Sequence, residues 1–328
     1  MTVKITKPAL NLREELADLR KPSGIAGEAL LRADSVQEQR DLINAGRKNL
    51  LINGDMQIAQ RGTSATASSS TYSQYISVDH WAPYYLHTDC EQVDADIENR
   101  KVKALKITAG GTNGRNYVYT KIENGSASLG GGQPFSISFW AKSSQNLNYT
   151  IEMRYYASAS ENNGSTTILA TEVSFGTEWK RYTFNGLTAV DGSHSATRDA
   201  FLLINAGAAS EGTGNDLQIT EVQLELGSVA TDFEHRSYGE ELALCMRYYE
   251  KPDHGRVTGY HNGTVRAGYQ FRTQKRAVPS VTITNAVDSG GNSITLAASN
   301  ITKDNMSMHS SCNASSGIQA KLEIDAEL

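Results

Sequence analysis

Residues 134–156 read PFSISFWAKSSQNLNYTIEMRYY. Phe135, Ile137 and Phe139 alternate with Ser136, Ser138 and Trp140, and Tyr149, Ile151 and Met153 alternate with polar neighbours. A period of two with one apolar face is the pattern of a half-buried strand. Two such runs, separated by Ser-Ser-Gln-Asn, give antiparallel neighbours. The same alternation recurs on both sides. KVKALKIT (101–108) places Val102, Ala104 and Leu105 near a core. NYVYTKIE (116–123) sets Tyr117 and Tyr119 against Val118. EWKRYTFNGL (178–187) sets Trp179, Arg181 and Thr183 against Lys180, Tyr182 and Phe184. FLLINAG and DLQITEVQLELG complete the set, and Gly/Asn-rich turns separate the runs. No helical segment alternates with these strands, so an antiparallel sandwich is expected rather than a parallel α/β sheet.

Composition agrees. Gly, Ser, Thr and Asn make up 108 of 328 residues, which favours turns and short strands. The net charge of −5 excludes nucleic acid as a partner by bulk charge. No stretch approaches the roughly 20 apolar residues of a membrane helix, and MTVKITKPAL lacks the apolar core of a secretory signal. Membrane insertion is therefore not expected. Cys90, Cys245 and Cys312 are odd in number and far apart, and read as free thiols.

The chain is uneven along its length. Its first aromatic residue is Tyr72, and the net charge runs +2 over 1–48, −7 over 49–239 and 0 over 240–328. Residues 1–48 read as two short helices. Asn11 and Glu14 frame the first, and Asp34 or Ser35 with Glu38 frames the second. Helices this short need a partner. Residues 49–235 form the expected sandwich, beginning with an apolar strand at NLLI and a turn at Asn53-Gly54-Asp55, with an exposed loop over 63–73. Residues 236–328 form a smaller β unit preceded by a helix, SYGEELALCMRYYEK, with Leu242, Cys245, Met246 and Tyr249 on one face.

Three segments then become familiar: NLLINGDMQIAQRGT (49–63), VDHW (78–81) and ITEVQLELGSVATDFEHRSYGEELALCMRYYEK (219–251). They resemble bacteriophage tail fibres and related virion receptor-binding proteins, in which such motifs bracket a jelly roll of carbohydrate-binding-module type. LLRADSVQEQRDLINAG (30–46) resembles a fibre linker, and GYQFRTQKRAVPSVT (268–282) resembles a C-terminal knob. The resemblance implies a mainly β homotrimeric fibre: a short helical anchor at 1–48 docked on a virion tail or adaptor protein, a jelly roll at 49–235, and a β knob at 236–328 that faces a host cell-surface glycan. It implies a virion (tail) location after assembly in the host cytoplasm. The alternatives are a head or tail decoration or adaptor fibre without a receptor, and a bacterial carbohydrate-binding adhesin. A capsule-cleaving tailspike would need repeats, and none is visible.

Candidate sites follow. Tyr260, His261 and Asn262, in an expected turn at HNGT, are receptor-contact candidates together with Arg272. Arg272, Lys275 and Arg276 form a basic cluster suited to an anionic glycan or a subunit interface. Asn305, Met306, Met308 and His309 read as a further loop. The resemblance also implies a structural calcium, with Asp55 and Glu221 supplying carboxylates from the first and last strands. His80-Trp81 and Tyr84-Tyr85 can either stack on sugars or pack into the core, and Asp94, Asp96 and Glu98 read as an exposed acidic loop. There is no GxSxG elbow and no HExxH, so no enzyme is expected and no other cofactor.

Overall fold

The computed structural model describes residues 48–68, 75–125, 129, 133–156, 165–188, 199–252, 255–257, 264–287, 291–311 and 318–327. The helices expected within 1–47 and the turn carrying Tyr260, His261 and Asn262 lie outside these residues, as does Cys312. Asn49–Leu328 forms one compact unit.

The strands of the sandwich are β1 (Ser64–Thr66), β2 (Ala82–Pro83), β3 (Thr88–Ile97), β4 (Arg100–Ala109), β5 (Tyr117–Ile122), β6 (Phe135–Ser143), β7 (Leu147–Tyr156), β8 (Ser165–Phe175), β9 (Lys180–Leu187), β10 (Ala200–Asn205) and β11 (Asp216–Leu226). They build a six-stranded sheet, β1-β3-β4-β11-β6-β9, facing a five-stranded sheet, β2-β5-β10-β7-β8. The alternation expected from sequence produces the core: Phe135, Ile137 and Phe139 of one sheet meet Tyr149, Ile151 and Met153 of the other. Tyr117 and Tyr119 fall on the opposite side of β5 from Val118, in a second cluster with Phe201 and Leu203. Glu98 and Asn99 both have positive φ, 49° and 64°, forming a two-residue hairpin turn between Ile97 and Arg100. Asp94 and Asp96 are not in a loop as expected. They stand on β3, paired across the ladder with Lys103 and Lys101 at 2.6 Å each.

Beyond the sandwich come α1 (Tyr238–Met246), β12 (Tyr249–Glu250), β13 (Gly255–Val257), β14 (Thr264–Gln270), β15 (Ser280–Val287), β16 (Ala297–Ser299), β17 (Asn305–Ser311) and β18 (Ile318–Asp325). Ser237 and Glu240 close a capping box on α1, and the helix ends at Met246. Tyr249 is therefore not on the helix face but starts β12, which pairs with β18. Residues 305–309 are a strand rather than a loop. Met306 and Met308, both 1% exposed, alternate with Ser307 and His309 and fill the core of this region. Among the described residues, no helix is long and apolar enough to cross a membrane.

The sandwich and the C-terminal sheets are joined through Gln60-Arg61. Gln60 donates to the Asp79 carboxylate at 2.6 Å and to the Tyr249 carbonyl at 2.8 Å. Arg61 lies 3.5 Å from the centre of the Tyr249 ring and pairs with Asp325 at 3.3 Å and Glu327 at 3.1 Å. Burial pushes the Glu327 carboxyl up from 4.5 to about 8; Arg61 pulls it down, while Asp325 and Asp79 add to the rise. The fold thus holds this proton more tightly than the unfolded chain does. Its contribution is fully present below pH 4.5 and is lost as pH rises through about 8. Asp79 is raised for the same first reason, burial, and acts with the same sign. Thermal melts from pH 5 to pH 9 should show stability declining, and Glu327→Gln should flatten that decline. An unchanged slope in the variant would remove Glu327 as its source.

Candidate functional site

The two bracketing motifs meet in space. Asn49 is buried, and its side-chain oxygen accepts from Leu51 N at 3.0 Å and Leu224 N at 3.1 Å, while its amide donates to the Val222 carbonyl at 3.0 Å. Asn53 (φ 55°) and Met56 (φ 59°) shape the turn, closed by Met56 N to Asn53 O at 3.1 Å. Gly54 abuts a bulge in β11, where the register against β6 shifts between Thr220 and Gln223. Val222 N donates to Gly54 O at 2.8 Å, and Trp81 Nε1 donates to Asn53 O at 3.0 Å. Arg236 closes the hub, donating to Asn49 O at 2.6 Å and Leu51 O at 3.2 Å and pairing with Glu241 at 3.1 Å. Side chains take up these backbone groups, so NLLI does not form the strand expected from its apolar run. His80 and Trp81, each 1% exposed, are core residues of this hub rather than a sugar platform.

The bulge also sets the calcium candidates. Glu221 takes φ 49° there, and Asp55 lies in the facing turn rather than on a strand. Both line one cleft of about 440 Å³ with Gln57, Asp94, Arg100 and His235. The donor set does not suit calcium, which takes six to eight oxygens. Both Glu221 oxygens already accept from the Arg100 guanidinium, at 2.6 and 3.2 Å. One Asp55 oxygen accepts from the Gln57 amide; the other is buried without a hydrogen bond. Burial first, and Glu241 second among the raising charges, lift the Asp55 carboxyl above its ordinary value. No group of three or more His, Cys, Asp or Glu able to hold a metal ion occurs among the described residues. The guanidinium supplies the positive charge at Glu221. A chelator should therefore leave the melting temperature unchanged. Arg100→Ala should destabilise by about 1–2 kcal/mol by stranding a buried carboxylate. A chelator-induced drop in melting temperature would contradict this assignment.

The basic cluster disperses. Lys275 is buried on Glu250 at 2.7 Å, and Arg276 pairs with Asp199 at 3.1 Å. Only Arg272 extends outward, with its guanidinium 59% exposed and 4.0 Å from Glu250. Tyr84 and Tyr85 are half-buried against Tyr117, with ring centroids 5.2 and 5.5 Å away, and Arg115 lies 4.5 Å over the Tyr85 ring.

A different surface carries exposed aromatic chemistry, and it was not singled out from sequence. The register of β6 against β9 sets Trp140 opposite Arg181 and Ala141 opposite Lys180. Tyr182, beside Lys180, packs on the core, so Trp140 and Arg181 share the outer face. Extending the register by one residue beyond β9 puts Trp179 opposite Lys142, whose Nζ lies 5.3 Å from the indole centre. Trp140 and Trp179 are thus diagonal neighbours on one face, roughly 7–8 Å apart by strand geometry, and both are half-buried. Trp179 also borders a shallow cleft of about 600 Å³ lined by Asn146, Ser174, Phe175, Glu178 and Tyr182. The turns before β7 and before β9 form it, tied by Ser143 N to Gly176 O at 2.8 Å. Flat indole faces beside amide, hydroxyl and carboxylate groups suit a sugar, which offers an apolar face and a polar edge. Sequence alternation already put Trp179 and Arg181 together, but only the pairing of β6 with β9 brings in Trp140 and Lys142.

No protein-family model matches the chain, and no curated protein matches it. Among solved structures, the enzymatically active domain of tailspike protein 4 of bacteriophage CBA120 is 12% identical over 54% of this chain, with a TM-score of 0.34. The match spans only 21% of that tailspike chain. A CBM4 module is 15% identical over 53% of this chain and 97% of its own, at TM-score 0.33. The family 11 carbohydrate-binding module of Clostridium thermocellum, in complex with a mixed-linked tetrasaccharide, is 11% identical over 52% of this chain and 98% of its own, at 0.31. At such identities and scores these likenesses carry no argument; the sandwich rests on its own sheet order.

Proposed function

We propose that this chain is a non-enzymatic fibre protein of a bacteriophage virion that attaches to host-cell surface glycans. Residues 1–48 serve as its docking and trimer segment. The fibre part of the reading is supported by the resemblance of 49–63 and 219–251 to virion receptor-binding proteins. The glycan part is carried by one observation, the pair of half-buried tryptophans, Trp140 and Trp179, on the outer face of the six-stranded sheet beside an open cleft. Three copies of one weak site would strengthen attachment without new contacts. Tyr260, His261, Asn262 and Arg272, further towards the C-terminus, are second candidates for the same role.

Binding of the purified full chain to host cells and to immobilised surface glycans tests the proposal, with sedimentation giving the assembly state. A trimer that binds, and a Trp179→Ala variant that binds at least about tenfold more weakly, are expected. A trimer without cell or glycan binding would instead favour a decoration or adaptor role. A monomer would contradict the fibre.

A further inference from the structure

We propose that the sheet edge around Trp179 takes an acidic polysaccharide, with a sugar face on that indole, continued on Trp140, and anionic groups on Lys142 and Lys180, which flank Trp179 from the two sides of the sheet. This rests on the glycan-attachment reading above and names its ligand class. The outer face of β6 and β9 is a checkerboard: Trp140 opposite Arg181, and Lys142 opposite Trp179. Each indole therefore has a cation across the ladder and a cation along its own strand direction. Lys180, opposite Ala141, turns to the other side of β9, where its Nζ stands 5.5 Å from the Tyr182 ring centre and it lines the cleft that Trp179 borders.

The cations differ in what they are free to do. Arg181 is committed, donating to the Thr231 carbonyl and to Ser138 Oγ. Lys106, opposite Gln218 on the neighbouring strand, faces Asp216 at 3.7 Å. Lys142 and Lys180, by contrast, carry no carboxylate partner among the described residues, and Lys180 is exposed. They stand out within residues 49–239, whose net charge is −7. A protein surface that is acidic on average repels a polyanion except where such cations collect, so these two lysines set where and how it lands. Gln218 of β11, directly opposite Lys142, adds a hydrogen-bonding amide to the Trp140 face. A neutral glycan would use the rings and leave both ammonium groups idle.

The test compares polygalacturonate with the same polymer after complete methyl esterification, which keeps the sugar ring and removes the charge. The full chain should bind polygalacturonate at least about fivefold more tightly than its ester, and 0.5 M salt should erase most of that difference. Lys142→Gln with Lys180→Gln should weaken polygalacturonate binding by about fivefold or more and leave ester binding within about twofold. Trp179→Ala should weaken both. Equal binding of acid and ester, or indifference to the lysine substitutions, would overturn the acidic class while leaving glycan attachment standing. Binding of neither polymer by a chain with an intact melting transition would overturn the inference; cell binding then decides separately whether the attachment reading survives.

Discussion

Lys275→Ala should cost about 3–5 kcal/mol of stability, the usual consequence of removing one partner of a buried ion pair. The Lys275 side chain is 0% exposed and that of Glu250 is 1% exposed, with nitrogen and oxygen 2.7 Å apart. The ammonium also donates to the Met246 carbonyl at the end of α1. Burial pulls Lys275 below the ordinary lysine value, and Glu250 holds it up. Glu250 gathers further donors, Tyr269 Oη at 2.9 Å and Arg272 N at 3.2 Å. Without Lys275 the buried charge keeps only these neutral donors and the exposed Arg272 guanidinium 4.0 Å away. The loss should appear in urea unfolding of the whole chain. A Lys275→Met, Glu250→Gln double variant should recover much of it, because no unpaired charge remains. A single variant within about 1 kcal/mol of the parent would show that the pair is not buried as described.

Gly54→Ala should be comparably severe, for a steric reason. A methyl group on Gly54 would sit 2.2 Å from the Val222 carbonyl oxygen and 3.1 Å from the Asn49 amide. Neither neighbour can yield cheaply. The carbonyl belongs to the β11 bulge and accepts from Asn49, and Val222 N donates to Gly54 O. Relief would require the turn to leave the bulge, undoing hydrogen bonds whose individual loss costs about 1 kcal/mol or more. A total of about 3 kcal/mol or more is expected, read from chemical unfolding. Asp55→Asn, one residue on, should be mild by comparison, because the carboxyl is already raised by burial. A tolerated alanine at Gly54 would place the turn elsewhere.

These cases show where the amino-acid sequence is readable and where it is not. Period-two alternation in β6 and β7 is a local property, and it transfers directly into the core through Phe139 and Tyr149. NLLI fails as a strand because the backbone groups of Asn49 and Leu51 are taken by the side chains of Asn49, Glu234 and Arg236 rather than by a ladder, and two of those side chains lie far along the chain. The strand at Asn305–Ser311 hides because its buried apolar members are two methionines among serines, with no β-branched residue to mark it. Lys275 looks like a surface cation until β12 brings Glu250 beneath it. Tyr119 and Phe201 are fully buried on the side of their sheet away from the main core, which alternation alone assigns to solvent. The tryptophan face depends on register, and register is set across strands joined by a long connection. Of the three tryptophans, one fills the hub and two share an outer face; composition alone cannot separate these roles.

That division supplies the most direct measurement. Trp81 is 1% exposed, whereas Trp140 and Trp179 are half-buried on the proposed binding face. Tryptophan fluorescence of the full chain should change saturably on titration with polygalacturonate. The change should be lost when Trp140 and Trp179 are both replaced by phenylalanine with Trp81 retained. Binding that leaves the fluorescence of the parent chain unaltered would place the glycan on another surface and contradict the account.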